Sequence, residues 1–151
     1  MKHLYNSNIL DVTSGIIVHG CNAQGVMGSG VAKQLRAKYP EIYGAYVKHL
    51  DSFRAKSRSP LGSVSFVAVH SGLIVANAIT QEFYGRDGKQ YVSYEALHNA
   101  MVDVIDLAYG GTVHVPYLIG AGLGGGNEQK IMKIFESLNY EYICFHHLNG
   151  Q

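Results

Sequence analysis

The sequence is short of charge, of cysteine and of long apolar runs. Asp, Glu, Lys and Arg make up only 15% of its 151 residues and nearly cancel, for a formal net charge of +1. That balance excludes strong nonspecific attraction to nucleic acid or an anionic membrane surface, though not a local basic cleft. The two cysteines, Cys21 and Cys144, both lie in apolar, strand-like runs. Two buried thiols are expected there rather than a disulfide, and with them an intracellular, cytoplasmic setting. Residues 1–10 have no apolar centre, so no signal peptide is expected, and no run reaches the length of a membrane span. Repeats, linkers and low-complexity segments are also missing. What remains is a chain that is 47% apolar, expected to fold as one domain over residues 1–151 with a full core and to act as a monomer.

Glycine, by contrast, is plentiful and clustered. Nine of the eighteen glycines fall in two stretches, residues 16–30 and 112–127. Each stretch reads as a buried strand, a glycine-rich loop and the start of a helix. Glycine lets backbone approach a ligand closely. A helix that follows such a loop presents unpaired N–H groups and partial positive charge, which suit phosphate. Either loop alone reads as a tight turn. The two together point to one cleft for a ligand with ribose and diphosphate parts.

Periodicity outlines the rest. Strands are expected at residues 3–5, 15–22, 63–69, 73–79, 113–115 and 140–146, with the third and fourth joined as a hairpin through His70-Ser71-Gly72. A helix starts near Ser29, with Val31, Ala32 and Leu35 inward, and a second follows Pro40 with Ile42, Tyr46 and Leu50 inward. Ser93 is placed to cap a third helix, closed by Gly110-Gly111, and Asn127 to cap a fourth with Ile131, Ile134, Phe135 and Leu138 inward. Strands interleaved with helices define an α/β class with a mixed sheet and helices on both faces.

The common phosphate-loop signatures are absent. Gly28-Ser29-Gly30 is followed by Lys33 where the dinucleotide fingerprint needs glycine, and residues 120–125 have Walker spacing but continue with Gly126-Asn127. Cys21 lacks the arginine six positions on that a cysteine phosphatase loop requires, since Met27 stands there. The eight histidines show no metal spacing, and His146 and His147, adjacent on a strand, point to opposite faces. No metal or cofactor is therefore expected. His19 ends an apolar strand beside the first loop, where side chains enter a ligand crevice. It reads equally as a hydrogen-bonded structural residue or as a functional one. Asn22 offers a donor and an acceptor suited to ribose hydroxyls.

Taken in order, these pieces resemble the macro domain family, an ADP-ribose-binding fold, over nearly the whole chain. The resemblance rests on Ser7-Asn8-Ile9-Leu10, on residues 17–22 with 27–32, and on Lys38-Tyr39-Pro40. It continues through residues 77–81 with Tyr84-Gly85, through residues 93–97, and through residues 116–126. It implies a three-layer α/β/α sandwich with a central mixed β-sheet. It also implies that Asn8, through its carbonyl, and Ile9, through its backbone N–H, address adenine. Asn22 would hold the distal ribose. Gly28, Ser29, Gly30 and Val31 would lie near the diphosphate and distal ribose, while Ile119, Gly120, Ala121, Gly122, Leu123, Gly124 and Gly125 form the second, diphosphate-cradling loop.

The nearest branch of the family holds ADP-ribose-1''-phosphate phosphatases, and His19 matches its proposed catalytic histidine. The resemblance thus implies a metal-independent phosphatase releasing ADP-ribose and phosphate. The alternatives are hydrolysis of an ADP-ribosyl link or of O-acetyl-ADP-ribose, and a non-catalytic ADP-ribose reader or sequestering module. Relatives carry an aspartate in or just after the second loop where this chain has Asn127, and Asn127 cannot act as a base. Glu128 would substitute only if it faced the cleft; as a first-turn helix acid it has an ordinary structural role.

Overall fold

The structure is a computed structural model that describes residues 1–121 and 124–148. Six strands form one sheet: β1 (Lys2–Tyr5), β2 (Gly15–Asn22), β3 (Val64–His70), β4 (Leu73–Gln81), β5 (Val113–Pro116) and β6 (Ile143–His147). Their spatial order is β1-β6-β5-β2-β4-β3. All neighbours are parallel except the β3–β4 hairpin, so the sheet is mixed. Four helices cover it: α1 (Gly30–Lys38), α2 (Glu41–Ala55), α3 (Tyr94–Ala108) and α4 (Glu128–Ser137).

Alternation along the central strands divides the core in two. On β2, Ile16 and Val18 face α3 and α4, in a cluster with Leu97, Met101, Phe135 and Phe145. Ile17 and Cys21 face α1 and α2, in a cluster with Leu35, Ile42, Tyr46 and Leu50. A strand covered on both faces has to read as a continuous apolar run, which is why Ile16-Ile17-Val18 does. The result is a sheet sandwiched between two helical layers, as the sequence led us to expect.

The helix ends also follow from the sequence. Ser93 and Asn127 accept from the Ala96 and Lys130 amides, capping α3 and α4. Two local expectations change. The left-handed turn that ends α3 begins at Tyr109 (φ +50°), one residue before Gly110. The last strand starts at Ile143, not Tyr140: residues 141–142 form a turn before it, and the Tyr140 hydroxyl donates to the Gly111 carbonyl. No helix among the described residues is long and apolar enough to cross a membrane.

This topology determines where a ligand can enter. β2 and β5 are parallel neighbours, yet the chain leaves β2 for the α1 face and β5 for the α4 face. A crevice opens at the carboxyl ends of such strands. Here it is widened, because β2 and β5 pair only at Ile16–Val113 and Ile17–His114. Beyond Val18 the two strands carry their loops apart.

Candidate functional site

A cavity of about 650 Å³ occupies that crevice. Its floor is the end of β2, from His19 to Asn22, and one wall is the first loop with the first turn of α1, including Gly28, Ser29, Gly30 and Val31. The opposite wall comes from the second loop through Ile119, Gly120 and Gly124, the buried Thr80 lies beside Gly20 of the floor, and the rim comes from Gln81, Tyr84 and Arg86. Nine of the residues expected at the site are thus brought together. Asn8, Ile9, Ala121 and Gly125 are not among the lining residues. Gly122 and Leu123 lie outside the described residues.

The first loop is held from below by α2. The Tyr46 hydroxyl lies 2.6 Å from the Asn22 carbonyl and 2.9 Å from Asn22 Oδ1, and it accepts from the Gly25 amide at 3.1 Å. Tyr43 donates to the Gly25 carbonyl at 2.9 Å, and Arg54 to the Ala23 carbonyl at 3.2 Å. Gly25 itself takes φ +84° with nothing within 4 Å of a would-be Cβ, so glycine is needed there for conformation, not room. Asn22 is the organiser of this loop. Its Oδ1 accepts from the Gln24 amide at 3.0 Å and its Nδ2 donates to the Val26 carbonyl at 2.8 Å. One hydrogen on Nδ2 is thereby engaged, and the second has no partner among the described residues, on a side chain that lines the cavity.

The second loop is held by contact with residues 89–92. The Tyr91 and Val92 amides donate to the Gly124 carbonyl at 2.6 and 3.0 Å, and the Gly126 amide to the Gly120 carbonyl at 2.7 Å. The Ile119 and Ala121 amides are engaged within the loop, on Pro116 and Leu118. Of the described glycines of this loop, Gly120 and Gly124 line the cavity.

Charge in the cavity has one sign. Among the described lining residues Arg86 is the single Lys or Arg, and none is Asp or Glu. The α1 N-terminus adds to this, because Ser29 makes no side-chain cap and residues 30–32 all line the cavity. Unpaired first-turn amides next to a guanidinium favour an anion. Glu128, by contrast, accepts from the Tyr117 hydroxyl and is not a lining residue, and Asn127 caps α4. No carboxylate replaces the missing aspartate among the described walls.

His19 stands in the floor but is only 1% exposed. Its Nε2 lies 2.6 Å from Asn77 Oδ1, and Asn77 Nδ2 donates to the Ile42 carbonyl at 3.2 Å. The Ile42 bond fixes the Asn77 amide, so His19 donates from Nε2–H and carries its lone pair on Nδ1. Burial lowers its pKa to about 4, against the opposing effect of the Asn77 bond, so the ring is neutral at pH 7. Cys21, buried beside it, has its thiol pushed up by the same desolvation and stays protonated, in keeping with the expectation that it is no nucleophile.

Two expectations for adenine recognition fall outside the cavity. Asn8 Oδ1 accepts from the Leu10 amide at 3.0 Å, capping a 3-10 turn at Ile9–Asp11, and the Ile9 side chain is buried under α1 and α2. Thr80, Gln81, Gly85 and Arg86 were missed by the sequence reading. Thr80 is the most telling of them. Among the described residues its Oγ1 is the one buried side-chain oxygen or nitrogen without a hydrogen-bond partner, and it lines the cavity. The available signal was a hydroxyl at the carboxyl end of an apolar strand.

No family model matches the chain. It is 31% identical over 127 residues to an uncharacterised 17.5 kDa protein of the tk-vs intergenic region of Enterobacteria phage T4, covering 80% of this chain and 77% of that one. It is 29% identical over 83 residues to an ADP-ribose 1''-phosphate phosphatase of Meyerozyma guilliermondii, covering 55% of this chain. The match spans only 42% of that phosphatase's length. Among solved structures, a macrodomain protein from Streptomyces coelicolor superposes with a TM-score of 0.78 at 26% identity, over 99% of both chains. The doubly covered mixed sheet is shared with that macrodomain over nearly the whole chain, and the chain belongs to the macro domain family.

Proposed function

We propose that the cavity binds ADP-ribose and its 1''-substituted derivatives, and that the protein hydrolyses ADP-ribose-1''-phosphate to ADP-ribose and phosphate. The observation that carries the binding is the one-signed cavity: Arg86 and the open N-terminus of α1 face a space without a described carboxylate. Its volume of about 650 Å³ lies in the range of small-molecule sites. The diphosphate belongs at the α1 amides and at the Gly120 and Gly124 amides. The unpartnered Thr80 hydroxyl, the uncapped Ser29 hydroxyl and the second Asn22 Nδ2–H are hydrogen-bonding groups available to ribose. The name of the Meyerozyma guilliermondii relative supports the choice of substrate.

In the hydrolytic step a water attacks phosphorus, a base takes the water's proton, the bond from phosphorus to the ribose oxygen breaks, and the proton ends on the leaving ribose oxygen. His19 is the histidine of the floor, and Nδ1 is its accepting atom, since Nε2–H is held by Asn77. A pKa of about 4 makes this a weak base at neutral pH. That observation, together with the missing carboxylate, favours a second reading, a reader module with slow or no turnover.

One experiment separates the two. ADP-ribose binding is measured by calorimetry for the native chain and for Arg86→Ala. Phosphate release is measured on ADP-ribose-1''-phosphate, beside acetylated and protein-linked substrates, for the native chain and for His19→Gln. Binding that weakens about tenfold in Arg86→Ala supports the site. Turnover on the phosphate ester that His19→Gln abolishes supports the phosphatase, while binding without turnover assigns the reader. Native affinity in Arg86→Ala removes the guanidinium from the site.

A further inference from the structure

Away from the cavity, β5 and β6 bring three metal-binding side chains onto one face. The parallel register pairs His114 with Cys144 across the two strands. The two-residue period then puts His146 on the same side as Cys144, opposite the buried Val115 and Phe145. One ligand atom from each of His114, Cys144 and His146 lies within 4.8 Å of the other two. None of the three lines the cavity. We propose that they form a site for a divalent transition metal of borderline softness, for which zinc is the matched ion.

The imidazoles are already arranged as a metal needs them. His114 Nδ1 and His146 Nε2 face each other at 2.8 Å with one proton between them. Zinc at its usual distance from two imidazole nitrogens holds them about 3.3 Å apart in a tetrahedral site. The exchange of proton for metal thus asks for a shift of roughly half an ångström. The outer ring nitrogens are tied down separately. His146 Nδ1 lies 2.8 Å from Ser7 Oγ, and His114 is hydrogen-bonded to the Ser14 backbone. Anchors of this kind fix ring orientation and tautomer in metal-binding histidines. On metal binding His146 carries its proton on Nδ1, where Ser7 Oγ accepts it, and Cys144 releases its thiol proton to solvent. Two nitrogens and a thiolate select zinc, cobalt or a similar ion over magnesium or calcium. Three protein ligands leave a fourth position for water or another small donor.

The rival account is a purely structural relay, Ser7 to His146 to His114 to the Ser14 backbone. Cobalt(II) titrated into the reduced full chain separates the two. The metal site predicts one equivalent of bound cobalt, tetrahedral visible bands and a thiolate-to-cobalt charge-transfer band, all bleached by zinc. Cys144→Ser, checked for folding by circular dichroism, loses the charge-transfer band. His114→Gln loses stoichiometric binding, and Ser7→Ala, which removes an anchor and no ligand, weakens it about tenfold. A native protein with no charge-transfer band at equimolar cobalt overturns the proposal whatever the variants do. So does a band that survives in Cys144→Ser, or unchanged affinity in His114→Gln.

Discussion

Gly25 in the first loop and Gly125 in the second are both glycines with positive φ, at +84° and +68°, yet their surroundings differ. A Cβ on Gly25 would meet nothing within 4 Å, whereas one on Gly125 would lie 2.1 Å from the Lys89 carbonyl oxygen. Gly124 and Gly126 repeat the pattern, each with a would-be Cβ under 3 Å from the Gly120 carbonyl. The first loop is roomy and is shaped by side chains that reach up from α2. The second is pressed against residues 89–92, and its glycines are there because backbone lies against backbone. Two stretches of similar composition therefore answer to different constraints, and a glycine cluster alone does not show whether the space it creates belongs to a ligand or to the protein.

The largest effect separates these loops directly. Gly125→Ala places a methyl group against a backbone carbonyl that cannot swing away, in a conformation L-residues avoid. It is expected to cost about 4 kcal/mol, with the cavity wall distorted and ADP-ribose binding lost. Gly28→Ala, whose Cβ would sit 3.5 Å from the Val26 side chain, should stay within about 0.5 kcal/mol of native. Urea denaturation of the two variants is the check. Equal losses would mean that the loops are constrained alike.

Next in size is the response of the floor to acid. The folded-state pKa of His19, about 4, lies below its ordinary value of 6.5, so the folded protein binds this proton less well than the unfolded chain does. The stability concerned is present above pH 6.5 and is lost as pH falls through 4. Over the full range it amounts to about 3 kcal/mol. His19→Gln should flatten the fall of unfolding free energy between pH 6.5 and 4 by up to about 1.4 kcal/mol per pH unit. Denaturation curves at a series of pH values read this slope, and an unchanged slope would mean that His19 does not titrate with folding.

The framework was legible because periodicity reports burial. The runs around Ile17 and Val75 and the recurrence of Ile42, Tyr46 and Leu50 at every fourth residue all place these residues in the core. The site was half legible. The cavity walls followed from the loops, but the use of each polar group did not. Asn22, expected to face ribose, spends most of its hydrogen bonds on its own loop. Tyr46 was placed on the inner face of its helix, yet periodicity is silent about where a hydroxyl points. Sequence spacing also finds metal ligands along a strand or helix more readily than across strands. That is why His146 and His147, correctly assigned to opposite faces, concealed the meeting of His146 with His114.

Tyr46→Phe tests how far the first loop depends on α2. It keeps the ring in the core and removes the bonds to Asn22 and Gly25. Leaving those buried groups unpaired should cost about 2 kcal/mol and lower ADP-ribose affinity through the displaced loop. Calorimetric binding together with thermal unfolding checks both parts. A variant with native stability and native affinity would show that the loop holds its shape without the clamp.

Thr80→Val should produce the smallest change in stability and the clearest separation of wall from ligand. The hydroxyl is buried, has no partner among the described residues and belongs to a residue that lines the cavity. A methyl group of nearly the same shape removes an unsatisfied oxygen, so unfolding free energy should stay native or rise by up to about 1 kcal/mol. If the hydroxyl bonds to ribose or phosphate, affinity for ADP-ribose falls about fivefold to tenfold in the same variant. Stability and affinity then move in opposite directions, which neither a packing defect nor a general loosening of the wall would produce. A valine variant that binds ADP-ribose as tightly as the native chain would place the ligand's hydroxyls elsewhere in the cavity and leave Asn22 Nδ2 as the remaining donor on the floor.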